Sequence, residues 1–248
     1  MIYLTKNKFL SSKINTIFFD LDDTLIDSSK AQERAICRFV KNYLHLNNID
    51  FDELSKTWKT ISNHYYDNYF KGKIDLLTQR EKRFMSLFKY LGIQSDFQNL
   101  YSHYKKYQDI YMNECSLFDD VMPCLTKLSN YKLGIISNGL RHIQVKKLKN
   151  GKIYTYFEYI ITSDTANMTK PHPNIFIHAA DISDTKIQNC AYIGDLLTID
   201  IIPSHHSGMQ SILIDRYNTH KISYTNKYIK INSLLLLYNI LEEKNGNW

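Results

Sequence analysis

The stretch Thr16-Ile17-Phe18-Phe19-Asp20-Leu21-Asp22-Asp23-Thr24 joins a short apolar run to a cluster of carboxylates. The β-branched and aromatic residues at its start predict a buried strand, and Asp20 and Asp22 follow where that strand ends. Two carboxylates at the carboxyl end of a strand can both face the crevice in which open α/β sheets bind ligands. They could share a divalent cation, or divide the roles of nucleophile and general acid/base. A solvated acidic turn is the alternative interpretation of this motif on its own.

Four more apolar runs rich in β-branched residues predict further strands. They lie at residues 133–137, 159–162, 191–193 and 211–214. Helical patterns alternate with the strands at residues 121–128, 142–149, 173–180 and 199–206. Strands that alternate with helices predict an α/β fold with a Rossmann-like, doubly wound parallel sheet.

A long interval between the first and second predicted strands lacks this alternation. Amphipathic patterns at residues 30–44, 51–71, 78–90 and 97–112 predict helices instead. We therefore expect an α/β core domain of residues 1–27 and 114–248, and an inserted all-helical domain of residues 28–113. The aromatic residues of this insert, such as Trp58, Phe84 and Tyr107, fit core packing or stacking on a substrate ring.

The composition of the chain is typical of a globular protein. Its 248 residues are 44% hydrophobic with only 8 Gly and 4 Pro, which excludes a disordered or collagen-like chain. The four cysteines form no C-x-x-C pair and predict reduced thiols. No apolar run is long enough for a signal peptide or a membrane span, so we expect a cytoplasmic protein.

The net charge of +6 fits an anionic substrate and, equally, weak contact with nucleic acid. Charge alone does not decide between them. A basic run over residues 141–152 fits a solvated helix face or the steering of phosphorylated substrates toward a site.

Two short motifs follow the second and third predicted strands. Ser137-Asn138-Gly139 brings a hydroxyl, an amide and a flexible glycine to the start of a helix, where free N–H groups favour an anion. In Lys170-Pro171 the proline holds Lys170 extended, so that its ammonium can neutralise a phosphoryl group or a carboxylate. Taken alone, the first motif also fits a turn with a helix cap, and the second an ordinary loop.

Two further aspartates follow the fourth predicted strand. Asp195 comes after Gly194 at the strand end, and Asp200 comes at the start of the next helical pattern. Carboxylates without Cys or clustered His favour Mg²⁺ over zinc, although Asp200 also fits a helix-start residue. All these motifs follow successive strand ends of one predicted sheet, which gathers them around a single crevice.

Together the motifs resemble those of haloacid dehalogenase superfamily hydrolases. The resemblance covers residues 14–27 and 114–217, and the large insert indicates the subfamily with a helical cap, which includes nucleotidase-like and N-acylneuraminate-9-phosphatase-like members. The residues that carry it are Asp20-Leu21-Asp22-Asp23-Thr24, Ser137, Lys170 with Pro171, and Gly194-Asp195 with Asp200. One departure follows Asp200, where related sequences have a small Gly-Ala step and this chain has Ile201 and Ile202 before Pro203.

The resemblance implies a two-step phosphoryl transfer. Asp20 would attack phosphorus to form an aspartyl-phosphate, and Asp22 would protonate the leaving oxygen and then activate water. The implied Mg²⁺ ligands are the Asp20 carboxylate, the Asp22 backbone carbonyl and Asp195, with Asp200 nearby. The groups implied to hold the phosphoryl oxygens are Ser137, Asn138 through the backbone amides after Ser137, and the catalytic Lys170.

Asp22 favours a phosphatase, because dehalogenating members of the family lack a carboxylate two residues after the nucleophile. We expect a Mg²⁺-dependent phosphatase acting on a small phosphorylated metabolite, either a nucleoside monophosphate or a sugar phosphate. A phosphomutase of the same fold and a non-catalytic phosphometabolite-binding protein remain open. We expect neither a nucleic acid polymer nor a membrane as a partner. The protein is expected to be a monomer or a homodimer.

Overall fold

The computed structural model describes residues 13–94 and 99–242. The chain forms two compact units, one made of the residues up to Asp27 and from Leu117 onward, the other of Ser28–Ser116. The expectation from sequence ends the helical segment at residue 113, whereas the second unit ends at Ser116.

The first unit is built on a sheet of seven strands within the described residues. In chain order they are β1 (Thr16–Phe19), β2 (Lys132–Ser137), β3 (Tyr159–Thr162), β4 (Cys190–Gly194), β5 (Gln210–Ile214), β6 (Ile222–Tyr224) and β7 (Ile229–Ile231). Their order in the sheet is β3-β2-β1-β4-β5-β7-β6. All neighbouring pairs are parallel except β6 and β7.

The central strand is β1, with Thr16 opposite Lys132 of β2 on one side and Cys190 of β4 on the other. The strand order reverses on either side of β1, as in doubly wound sheets. This confirms the predicted α/β fold. The strands β6 and β7 were not predicted, because each has three residues and those of β6 are exposed or half-buried, which leaves no apolar run to recognise.

Ten helices lie in the described residues. They are α1 (Ser28–Tyr43), α2 (Phe51–Phe70), α3 (Leu76–Tyr90), α4 (Leu100–Glu114), α5 (Val121–Lys127), α6 (Arg141–Asn150), α7 (Ser163–Ala166), α8 (Asn174–Ile182), α9 (Ile202–Ser207) and α10 (Leu237–Glu242). Single turns of 3₁₀ helix lie at Tyr154–Tyr156, Ile187–Asn189 and Leu234–Leu236. The predicted start of the fourth helix, Phe97, lies outside the described residues.

The helix predicted at residues 199–206 consists of two elements. A π-helical turn spans Leu197–Ile201, and α9 follows it directly. Pro203 lies in the first turn of α9, the part of a helix that tolerates the missing N–H of proline best. Gly208 ends the helix with a φ of 102°, a conformation that favours glycine. The departure from the family pattern is therefore accommodated within a helix.

The core of the first unit lies between the sheet and its helices. Every residue of β1 and β4 is buried, as expected for parallel strands covered on both faces. Phe18 of β1 and Tyr192 of β4 belong to one apolar cluster with Phe176 of α8. The Phe176 and Tyr192 ring centroids lie 4.9 Å apart in an edge-to-face arrangement, which fixes the Tyr192 ring.

The second unit is all-helical within its described residues, with α1 to α4 packed around aromatic side chains. Phe39, Trp58, Phe84 and Tyr107 are buried in its core, which supports core packing for the aromatic residues of the insert. Asp50 caps α2 by accepting hydrogen bonds from the backbone N–H groups of Asp52 and Glu53. Across both units, none of the described helices combines the length and apolar character that a bilayer crossing requires.

Candidate active site

Asp20 and Asp22 lie in the turn that follows β1. The N–H of Asp20 donates to the Ile193 carbonyl at 2.8 Å, which keeps Asp20 aligned with β4. The chain reverses at Asp23, whose φ of 60° lies in the left-handed region that aspartate tolerates better than most residues. The N–H of Asp23 then donates to the Ile26 carbonyl at 2.7 Å. This tight turn holds both carboxylates at the carboxyl edge of the sheet.

The ammonium of Lys170 lies between two of the predicted site residues. Its Nζ is 2.5 Å from Asp20 Oδ1 and 2.7 Å from Asp200 Oδ1, and it donates to the Tyr192 hydroxyl at 2.9 Å. Burial opposes the charge of this side chain, but the two ion pairs outweigh it and raise the pKa of Lys170 above its usual range. Lys170 is therefore a fixed cation beside Asp20.

Asn138 holds the backbone of Lys170. Its Oδ1 accepts from the Lys170 N–H at 2.7 Å, and its Nδ2 donates to the Lys170 carbonyl at 2.8 Å. The sequence predicts that Asn138 binds phosphate through the backbone amides after Ser137, and the side chain of Asn138 positions Lys170. A phosphate contact from Asn138 would come from its backbone N–H.

Three carboxylates converge at the same edge of the sheet. Asp20, Asp195 and Asp200 each offer one oxygen, and these atoms lie within 4.8 Å of one another. Burial raises the pKa of Asp20 to about 7, with Lys170 opposing the shift and Asp200 adding to it. Burial and the neighbouring carboxylates raise the pKa of Asp195 to about 8. Hard oxygen donors that gather this much negative charge fit a divalent cation such as Mg²⁺.

Asp200 is fixed on both of its oxygens. Besides Lys170, Oδ1 accepts from the Tyr192 hydroxyl at 2.8 Å, and Oδ2 accepts from the Leu196 N–H at 3.0 Å. Asp200 is buried within the π-helical turn, a conformation that is frequent at functional sites. The turn therefore delivers this carboxylate to the cluster in one orientation.

The carboxylate of Asp22 faces α6. Lys147 Nζ forms an ion pair with Oδ1, and Gln144 Nε2 donates to Oδ2 at 2.9 Å. The same Gln144 nitrogen donates to Ser137 Oγ at 2.6 Å. Asp22 thus lies beside the Ser137 hydroxyl, and it is not among the three clustered carboxylates.

Ser137 is the last residue of β2. Its Oγ accepts from Gln144 Nε2 and from the Gly139 N–H at 3.2 Å. A hydroxyl that accepts two hydrogen bonds keeps its own proton for donation. This arrangement suits a contact from Ser137 to an anionic oxygen.

The structure therefore brings Asp20, Asp195, Asp200 and Lys170 into one cluster and sets Asp22 beside Ser137. The sequence analysis did not identify three residues that contact this site. Tyr192 is hidden in an apolar strand, and Gln144 and Lys147 fall in the basic run that fits a solvated helix face. The one available signal was their spacing, because residues three apart on a helix share a face.

Comparison with protein families places most of this chain in one of them. A family model described as haloacid dehalogenase-like hydrolase matches residues 17–214, which include every residue of the site. Among curated proteins, the glyceraldehyde 3-phosphate phosphatase of Pyrococcus abyssi is 30% identical over 207 residues, which cover 80% of each chain. The N-acylneuraminate-9-phosphatase of Mus musculus is 26% identical over 204 residues, covering 81% of this chain and 82% of that protein.

Solved structures share the fold. The HAD-hydrolase YfnB of Bacillus subtilis, in a crystal form bound to magnesium, has a TM-score of 0.80 at 24% identity. The match covers 93% of this chain and 100% of that one. A defluorinating L-2-haloacid dehalogenase, Rha0230, has a TM-score of 0.75 at 17% identity, covering 96% of this chain and 99% of that one. At these identities the likeness concerns the fold alone.

Proposed function

The chain belongs to the haloacid dehalogenase-like hydrolase family, and from this premise we propose that it is a Mg²⁺-dependent phosphatase acting on a small phosphorylated metabolite. Relatives named as phosphatases support ester hydrolysis. The observation that carries the proposal is the setting of Asp20. This carboxylate has Lys170 Nζ at 2.5 Å, and its oxygen clusters with those of two further aspartates.

In the first step an Asp20 oxygen attacks phosphorus, and a bond forms between them as the bond to the ester oxygen breaks. Asp22 gives its proton to that leaving oxygen, so the alcohol departs neutral. Lys170 and the Ser137 hydroxyl hold phosphoryl oxygens, since the ammonium lies 2.5 Å from the attacking carboxylate and the hydroxyl, which accepts two hydrogen bonds, keeps its proton for donation. Positioning and charge neutralisation of this kind are most of what phosphoryl transfer requires.

In the second step Asp22, now a carboxylate, takes a proton from water as the water oxygen attacks phosphorus. The bond between phosphorus and Asp20 breaks, which releases inorganic phosphate and restores the Asp20 carboxylate. Asp22 is protonated again and ready for the next ester.

Asp20, Asp195 and Asp200 would hold Mg²⁺, together with the backbone carbonyl of Asp22. When bound, the ion neutralises charge on the phosphoryl group. Asp22 keeps its carboxylate free of this cluster in our proposal, which leaves it available for proton transfer.

The substrate we favour is a sugar or triose phosphate over a nucleoside monophosphate. The support comes from relatives whose names specify glyceraldehyde 3-phosphate and N-acylneuraminate 9-phosphate as their esters. We also propose that the helical unit, Ser28–Ser116, is the cap domain of this family.

The test is phosphate release from a panel of triose, sugar and nucleoside monophosphates, with and without Mg²⁺. We expect hydrolysis that needs Mg²⁺ and that Asp20→Asn removes while the protein stays folded. Activity of Asp20→Asn above a tenth of wild type would place the nucleophile elsewhere. A folded wild type that binds Mg²⁺ and hydrolyses nothing would favour a mutase or a non-catalytic binder.

A further inference from the structure

Two side chains of α6 hold the carboxylate of Asp22, one on each oxygen. Lys147 Nζ pairs with Oδ1, and Gln144 Nε2 donates to Oδ2 at 2.9 Å. A carboxylate has about four lone-pair sites, and these two contacts reach it from one helix, one on each oxygen. The helix therefore fixes the direction of this carboxylate.

Lys147 differs from the other lysines of the same helix. Its side chain is 4% exposed, whereas Lys146 and Lys149 are exposed to solvent. A buried ammonium is strongly unfavourable unless it is paired, so its place in the fold depends on anionic partners such as Asp22. Lys147 is thus part of the site, and Lys146 beside it is part of the surface.

Gln144 connects Asp22 to the phosphate side of the site. Its Nε2 is shared between Asp22 at 2.9 Å and Ser137 Oγ at 2.6 Å. Its Oε1 is buried and has no hydrogen-bond partner among the described residues, which costs free energy. The opposite orientation of the amide would turn Oε1 toward the Asp22 carboxylate, an acceptor against an acceptor. The amide is therefore held in the orientation that serves Asp22 and Ser137 together.

The glycine after Ser137-Asn138 leaves room for this amide. A Cβ at Gly139 would lie 2.3 Å from Gln144 Nε2 and 2.6 Å from its Cδ. Any larger residue would push the Gln144 amide away from Ser137 and Asp22.

We propose that Gln144 and Lys147 are positioning residues that orient the Asp22 carboxylate beside the Ser137 hydroxyl, where the ester oxygen leaves. The inference rests on the proposed function. In the first step Asp22 transfers its proton to the leaving oxygen as the phosphorus bond to that oxygen breaks. Without Gln144 or Lys147, the carboxyl group of Asp22 is present but misoriented, and proton transfer to the leaving oxygen is slower.

Leaving-group dependence tests this role. An alkyl ester needs its leaving oxygen protonated, whereas 4-nitrophenolate leaves readily without a proton. The first step alone decides kcat/KM, because release of the alcohol is irreversible under initial-rate conditions. The experiment compares kcat/KM for 4-nitrophenyl phosphate with kcat/KM for whichever triose or sugar phosphate the wild type hydrolyses fastest.

For Lys147→Met we expect kcat/KM to fall ~30-fold or more on the alkyl ester and by less than about 5-fold on 4-nitrophenyl phosphate. Gln144→Leu should show the same contrast, and it carries the test if Lys147→Met does not fold. Asp22→Asn gives the reference contrast for a lost proton donor. Lys146→Met, next in sequence and exposed, should leave both esters unchanged.

Equal losses on the two esters would overturn the inference, since a damaged fold or phosphate pocket slows both alike. Unchanged kcat/KM in both variants would overturn it as well. A wild type that hydrolyses neither ester would instead remove the proposed function and the inference with it. Loss on the alkyl ester alone supports both.

Discussion

The backbone of Gly194 approaches the side chain of Asp200 so closely that a Cβ on Gly194 would lie 2.6 Å from Asp200 Cβ and Cγ. Real Cβ atoms do not come this near to another carbon. The absence of a side chain at the end of β4 is thus what allows Asp200 to reach the carboxylate cluster.

Gly194→Ala should therefore displace Asp200 and weaken Mg²⁺ binding by roughly 10-fold or more. Calorimetric titration of the purified protein with Mg²⁺ measures this directly and needs no substrate. Gly151→Ala is the control, because Gly151 ends α6 and the atoms nearest to its new methyl would belong to the Leu117 side chain and the Lys147 carbonyl. Equal Mg²⁺ affinity in wild type and Gly194→Ala would contradict the assignment of Asp200.

Lys170→Met should destabilise the folded protein as well as abolish hydrolysis. It leaves the buried carboxylates of Asp20 and Asp200 without their shared cation, and breaking a buried pair in this way costs about 3–5 kcal/mol. Urea unfolding at neutral pH without Mg²⁺ measures the loss, with exposed Lys127→Met as the control. A loss no larger than that of the control would mean that Lys170 is not a structural counter-charge.

Tyr192→Phe removes one hydroxyl and keeps the ring that packs on Phe176. The hydroxyl bonds both Lys170 and Asp200, so its loss should lower the free energy of unfolding by about 1 kcal/mol. We also expect a lower kcat, because the cation and the carboxylate lose a common anchor. Unfolding curves and steady-state rates on one preparation test the two effects together. If the free energy of unfolding and kcat of Tyr192→Phe both equal those of the wild type, Tyr192 is a packing residue only.

A pH dependence of stability is expected from Asp120, far along the chain from its partner Arg216. Burial opposes ionisation of Asp120, but hydrogen bonds from Arg216 and Ser233 and the Arg216 charge hold its pKa below the usual 3.8. A lowered carboxyl pKa stabilises the fold above pH 3.8, and that stability is lost as pH falls toward the folded-state value.

Asp120→Asn should thus be less stable than wild type at pH 7 by about 1–2 kcal/mol, with the difference shrinking as the pH falls below about 4. At low pH, protonation removes the negative charge of Asp120 in the wild type, and the substitution removes it at every pH. Unfolding by urea across this range is the measurement, and the adjacent exposed Asp119→Asn is the control. A difference that stays constant with pH would contradict the ion pair.

The sheet and the cluster could be predicted from sequence because both depend on local patterns. Each of the five predicted strands is a short apolar run, Asp20 and Asp195 directly follow strand ends, and Lys170 lies in the connection after β3. Parallel strands bring such ends to one edge whatever lies between them in the chain.

The surroundings of Asp22 could not be predicted in the same way. Gln144 and Lys147 act on a residue more than a hundred positions earlier, and nothing in their own segment distinguishes Lys147 from Lys146. Only the packing of α6 against the sheet buries one lysine and exposes the other. The role of Tyr192 was not predicted because its neighbours in sequence are apolar and indicate a core strand, although its hydroxyl bonds Lys170 and Asp200.

The pairing of β1 also has a consequence for how the chain is made. Thr16 is synthesised before the helical unit, whereas its partners Lys132 and Cys190 are synthesised after it. The strand that leads into Asp20 must therefore wait unpaired while Ser28–Ser116, whose helices pack on one another, can already fold. A nascent chain that ends before β4 therefore lacks one neighbour of β1 and, with it, Asp195 and Asp200.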